Sequence, residues 1–223
     1  MPYVTHASPP AYVAPASGEV EVNVFGPGVG GCIVVHLGAG KWIVVDSCQG
    51  RGSKIPAALQ YLEAIGVDAA TDITHVVATH WHDDHVKGIA AVYTAATSAH
   101  FYAASSVRPD EFLAVTRAGP MGSRFSSGVQ ELSLVAKIAD ERGVPVRAVS
   151  AAQRIHHDPT MPVSEVWALS PSFQDLSISR SHIAAMLPVL QQGSRRLPSL
   201  PPNDTSVAGC KSSCGLVRAW RGR

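Results

Sequence analysis

ITHVVATHWHDDHVKG, residues 73–88, decides the reading of this chain. Ile73–Ala78 is a short apolar run rich in β-branched residues, which predicts a buried strand. It leads directly into His80, His82, Asp84 and His85. Imidazole nitrogen and carboxylate oxygen are the donors that zinc and similar borderline metals take. Four such donors within six residues can converge only where the backbone turns sharply. A strand ending at Thr79 and a helix opening near Asp83–His85 supply that turn. His80 and His82, two apart in extended chain, then present their rings to one face. Asp84 and His85, entering the first helical turn, point toward a neighbouring ion. Asp83 is expected to cap the first free N–H groups of that helix.

Outward from this segment the text alternates between strand-like and helix-like runs. Upstream, Glu19–Phe25, Cys32–Leu37 and Lys41–Asp46 read as strands, with glycine-rich turns at 26–31 and 38–40. The turn at 26–31 precedes no helix and is not closed by Lys-Ser/Thr, so it is not a phosphate loop. Lys54–Ile65 reads as a helix ended by Gly66. Downstream, Val86–Thr97 and Val129–Arg142 read as helices, Ala99–Ala103, Val144–Val149 and Val163–Leu169 as strands, and Ile178–Leu190 as a further helix. Alternating strands and helices predict an α/β (α+β) arrangement. No further element is legible beyond Gln191.

Composition narrows the function classes. The chain has 223 residues and 23.4 kDa, with 46% hydrophobic and 16% charged residues. That is enough for one sizeable domain and unlike a disordered chain. Eighteen basic residues against 17 acidic ones, with a pI near 7.8, make no electrostatic case for nucleic acid or an anionic membrane, and nucleic-acid binding stays undetermined. No apolar stretch reaches the roughly 18 residues of a membrane span, and the N-terminus lacks signal-peptide features, so the expected location is cytoplasmic. Four cysteines are too few for a disulfide scaffold; Cys32 and Cys48 read as small buried hydrophobes. Cys210 and Cys214 form a weak candidate pair of soft ligands.

THWHDDHVKG, residues 79–88, resembles the signature of the metallo-β-lactamase superfamily. GPGVGGCIVVHLGAGKWIVVDSC, residues 26–48, is similar to that family's opening strands, with Asp46 at a strand end below the site. LSPS at 169–172 and PNDTSV at 202–207 resemble a subgroup related to the hydrolase domain of competence proteins, whose stand-alone relatives accompany some bacterial anti-phage systems. The resemblance implies an αββα sandwich with two metals at one edge of the sheets. It implies that His80 and His82 hold the first metal and Asp84 and His85 the second, with zinc expected and manganese or ferrous iron as alternatives. A metal-activated water would then attack an ester, amide or phosphodiester of a small-molecule or phosphodiester substrate, with Asp84 as the catalytic residue orienting it. Asp46 would hydrogen-bond a ligand histidine from behind, or else serve only as a satisfied strand-end carboxylate.

The chain departs from the family after its first half. Later family ligands are a histidine, a bridging aspartate and a last histidine, yet beyond His182 there is no histidine and Asp204 is the sole acid. The second half of the sandwich is therefore expected to be incomplete. The division expected is a loose arm at 1–18, a partial metallo-β-lactamase-like domain at 19–207 and an irregular basic tail at 208–223, the last attributed to a changed reading frame. The alternatives to an active enzyme are a metal-binding protein of weak activity serving as a partner or regulatory subunit, as in a defence system, and a truncated inactive fragment. His156, His157 and Asp158 read as a surface loop, and His36 and His75 as satisfied core or edge histidines. His6, His100 and His182 carry no site-like spacing. Arg108, Arg117 and Arg124 in Ser105–Ser127 would suit a phosphate, though a solvated surface is the plainer account.

Overall fold

A computed structural model describes residues 13–26, 30–50, 52–105, 127–177 and 217–221. Several expectations fall outside these residues: the arm up to residue 12, Arg108, Arg117 and Arg124, the helix at Ile178–Leu190, His6 and His182, the 202–207 segment, and Cys210 and Cys214.

The chain is a mixed α/β fold built on two sheets. The larger has the order β1-β2-β3-β4-β5-β6, from Glu21–Phe25, Cys32–Gly38, Lys41–Val45, Ile73–Ala78, His100–Ala104 and Arg147–Val149. β1, β2 and β3 are antiparallel neighbours, whereas β3 to β6 run parallel. The smaller sheet is antiparallel, with β7 (Arg154–His157), β8 (Val163–Ala168) and β9 (Val217–Arg221). The helices are α1 (Ala57–Ala64), α2 (Ala69–Asp72), α3 (Asp83–Val86), α4 (Ile89–Ala95) and α5 (Ser127–Arg142).

Burial explains why β2 to β5 read as nearly continuous apolar runs and not as alternating ones. Both faces of the large sheet are covered, so both sets of side chains are apolar. On one face Val34, Trp42, Val44, Val76, Phe101 and Ala103 pack against Leu62 of α1, Val92 and Tyr93 of α4 and Val135 of α5. On the other, Val35, Leu37, Ile43, Val45, Val77 and Tyr102 meet Ile155, Val163, Val166 and Ala168 of the small sheet. Three layers follow: helices, large sheet, small sheet. This is the helical layer and sheet pair of the expected sandwich. No helix among the described residues is long and apolar enough to cross a membrane.

The structure departs from the sequence reading at four places. The helix expected over Val86–Thr97 is two pieces, α3 and α4, separated at Gly88, whose φ of 84° is left-handed and breaks the helical path. α2 is a single turn capped by the Asp68 side chain, which accepts from the Ala70 N–H. His156 and His157 sit on strand β7 and not in a loop; pairing with β8 makes the strand, and its own residues carry little β pattern. Val217–Arg221, read as part of an irregular tail, pairs antiparallel with β8.

Candidate metal centre

The C-terminal end of β4 delivers the chain to the histidine cluster, as the strand-then-turn reading requires. His82, at the N-cap of α3, is extended, with φ −75° and ψ 149°. α3 is one turn long, so it cannot satisfy its own last carbonyls. Neighbours do so instead. Gly31 N–H donates to the Asp84 carbonyl at 3.1 Å, Ser47 N–H to the His85 carbonyl at 2.7 Å, and the Ser47 hydroxyl to the Lys87 carbonyl at 3.0 Å. The turn is thus held by the β1–β2 connection and by the residues following β3.

Asp83 does not cap its own helix. Its Oδ1 accepts from the N–H of Gly128 at the start of α5, at 2.5 Å. Glu131, one turn further along α5, accepts from the Ala90 N–H near the start of α4, at 3.1 Å.

The four residues singled out from the sequence come together. The rings of His80 and His82 lie 4.8 Å apart, centroid to centroid, and those of His80 and His85 3.8 Å apart. His85 Nε2 is 3.6 Å from Asp84 Oδ2. One ligand atom each from His80, His82 and Asp84 falls within 4.8 Å of the others, and a second such group is Asp46, His80 and His85. His82 Nδ1 is buried without a hydrogen-bond partner among the described residues. A buried imidazole nitrogen so placed fits a metal ligand, and the donor set of nitrogen and oxygen suits zinc or its neighbours.

Behind this cluster lies Asp46, 6% exposed, in a left-handed conformation with φ 59° that aspartate tolerates better than most residues. Its Oδ1 accepts from the Thr79 N–H at 2.7 Å. Its Oδ2 faces the Thr79 hydroxyl at 2.7 Å and His85 Nδ1 at 2.8 Å. Asp46 does therefore hydrogen-bond a histidine of the cluster, the first of the two roles weighed for it. The contact frees His85 Nε2 on the side of Asp84.

Electrostatics follow from burial. Desolvation pushes the His80 pKa down to about 3, helped by His85 and His82, so the ring is neutral at physiological pH. His82 is lowered mainly by burial as well. For His85, burial lowers the pKa, but the hydrogen bond and charge of Asp46, with Asp84 added, outweigh it and raise the pKa overall. Burial raises the Asp46 carboxyl, against the pull of its His85 and Thr79 donors. Neutral imidazoles are the form that binds metal.

The pattern of the metallo-beta-lactamase superfamily matches residues 25–110, the stretch from the end of β1 past β5 that contains Asp46 and the histidine cluster. Over this stretch the chain is similar to that superfamily. A curated relative is the lactamase-like protein adaB of Aspergillus niger, 42% identical over 59 residues. The aligned part is 26% of this chain and 17% of that protein, so this chain spans well under a fifth of its length. Among solved structures, the metallo-beta-lactamase SMB-1 is 19% identical, with 69% of this chain and 52% of that one covered and a TM-score of 0.43. BJP-1, a subclass B3 metallo-beta-lactamase of Bradyrhizobium japonicum, is 16% identical over 73% of this chain and 60% of its own, with a TM-score of 0.38.

The other candidates are placed differently. His156 packs edge-on against His75 at 5.3 Å, and His157 pairs with Glu165, so neither joins the His80 group. His75 is held by Thr74 and stacked on Tyr102, as expected of a satisfied histidine. His36 accepts from the Gly40 N–H through Nε2, while its buried Nδ1 has no partner among the described residues. Cys32 and Cys48 are buried and free, their sulfurs 3.7 Å apart. Thr79 was not singled out from the sequence. Its signal was available: it is the one hydroxyl between the buried strand and the first histidine.

Proposed function

We propose that this chain is a metal-dependent hydrolase, with His80, His82, Asp84 and His85 as ligands and zinc as the metal. The observation that carries the reading is the convergence of His80, His82 and Asp84 to within 4.8 Å, with neutral imidazoles. His80 and His82 would hold the first ion, and Asp84 and His85 the second. A divalent metal here supplies Lewis acidity, making water nucleophilic near neutral pH and stabilising charge that develops on the bond under attack.

The chain's own residues do the rest. Asp84, with its side chain 43% exposed beside His85, is placed to accept a hydrogen bond from an attacking water and take its proton. Asp46 holds His85 by Nδ1 and keeps Nε2 available. Ser47 and Gly31 fix the turn on which Asp84 and His85 ride, so these side chains need little reorganisation. The substrate class we favour is an ester, amide or phosphodiester, the bonds such chemistry cleaves.

A second reading is a metal-binding protein of weak hydrolytic activity that serves a protein partner. It is favoured by ligand count, since one hexapeptide supplies the four donors for both ions. The test is a metal-content and activity screen of the protein beside His82→Ala, with generic phosphodiester, thioester and lactam substrates. Metal with turnover, both lost in the variant, supports the hydrolase. Metal without turnover supports the second reading. Equal metal in both proteins would count against the site itself.

A further inference from the structure

Three hydrogen bonds, through two intervening groups, link the rings of His80 and His85 in the protein's interior. His80 Nδ1 lies 2.9 Å from the Thr79 hydroxyl, that hydroxyl lies 2.7 Å from Asp46 Oδ2, and Oδ2 lies 2.8 Å from His85 Nδ1. Thr79 is 8% exposed and Asp46 6%, so solvent contributes little to satisfying them.

The protons in this chain can be counted. A threonine hydroxyl has one proton and two lone pairs. At 2.7 Å from a carboxylate oxygen, that proton belongs in the bond to Asp46, the stronger acceptor. The hydroxyl then offers only lone pairs to His80, so Nδ1 of His80 must carry its own proton. A neutral ring with Nδ1 protonated has its lone pair on Nε2. The same carboxylate oxygen accepts from His85 Nδ1–H, which fixes that ring in the same tautomer. Without the hydroxyl, Nδ1 of His80 would lose this hydrogen bond, and the ring could adopt either neutral form.

We propose that Thr79 is a positioning residue that sets the tautomer of His80, transmitting to it the orientation that Asp46 imposes directly on His85. One buried carboxylate thereby keys two imidazoles, and Nε2 of each is left free to bind metal. The consequence for metal affinity rests on the function proposed above; the tautomers do not.

The test uses the metal-free full chain labelled with nitrogen-15 in histidine, and long-range proton–nitrogen correlation spectra at mildly alkaline pH, where both rings are neutral. The wild type is expected to show His80 and His85 both as the Nδ1–H form. In Thr79→Val, His80 is expected to move to a mixture while His85 keeps its form; Thr79→Ser is expected to restore His80. Zinc affinity, read by chelator competition, is expected to fall tenfold or more in Thr79→Val and to stay within about twofold in Thr79→Ser. A wild-type His80 mainly in the Nε2–H form would overturn the proposal, and needs no variant to fold. An unchanged His80 tautomer in a folded Thr79→Val would overturn it too. Wild-type protein that shows the expected tautomers but binds no zinc would support the relay while sinking the metal-dependent function.

Discussion

Oδ1 of Asp83 lies 2.5 Å from the backbone nitrogen of Gly128, across 45 positions of sequence. The acid next to the start of α3 therefore caps α5. Close approach makes this docking specific: a Cβ at Gly128 would sit 2.0 Å from the Trp81 carbonyl oxygen, backbone that cannot swing aside. Glu131 returns the favour to α4 through Ala90. The histidine-bearing turn and the two flanking helices are thus joined by backbone-directed carboxylates.

Asp83→Ala is expected to cost about 1 kcal/mol, the usual worth of a helix cap. Gly128→Ala should cost more, on the order of 2–3 kcal/mol, because two backbones must separate. Urea unfolding of both variants checks this. Asp83→Ala should also keep its metal content, which would set Asp83 apart from its neighbour Asp84.

Metal should stabilise the fold, since a ligand that binds only the native state raises its apparent stability. Added zinc is expected to raise the Tm of wild-type protein, and a chelator to reverse the rise. His80→Ala and His82→Ala should show little or no rise. Asp84→Asn is expected to retain some metal-dependent stabilisation while hydrolysis falls about 100-fold or more, as loss of a proton acceptor entails. Thermal melts and a phosphodiester assay separate these outcomes.

Acid should weaken the contact between the two sheets at His75. This ring lies between β4 and the small sheet, stacked on Tyr102 and edge-on to His156, with His100 and Arg147 nearby. Burial, reinforced by His156, His100 and Arg147, lowers its pKa from 6.5 to about 4, while a backbone bond to Ile155 opposes the shift. Because the folded state binds the proton less well than the unfolded chain, stability is complete above about pH 6.5. It falls as pH drops toward 4, by on the order of 3 kcal/mol for this group. His75→Phe should remove that part of the slope. Unfolding of both proteins by urea across this range, with chelator present, gives the difference directly; parallel pH profiles would refute it.

Cys32 and Cys48 should resist thiol reagents in the native protein. Both are buried, and burial pushes both thiols above their ordinary pKa, leaving almost no thiolate to react. Mass spectrometry after alkylation should find them modified only when denaturant is present. Rapid native labelling of either would contradict the packing of Cys32 beside Cys48 described above.

Much of the site was legible because its geometry is local. A β-branched run followed by closely spaced histidines and aspartates can be read as strand, bend and ligands, and the rings of His80, His82 and His85 do gather there. The parallel strands β3, β4 and β5 were legible for a similar reason: burial on both faces writes itself as unbroken apolar text. β7 was not legible, since Arg154, His156 and His157 become a strand only by pairing with β8. The break at Gly88 was missed because an isolated glycine is compatible with a continuing helix, and only the left-handed φ reveals the turn.

By itself, then, the sequence determined which residues offer donors of the metal-ligating type and that a strand would carry them to one place, because donor types and short-range periodicity are properties of neighbouring residues. Tertiary structure alone decided the partners of those residues. Asp46 reaching Thr79 and His85, Asp83 capping α5, and the small sheet closing over His75 all join positions far apart in the chain. Such contacts depend on how sheets and helices pack, and no local spacing encodes them.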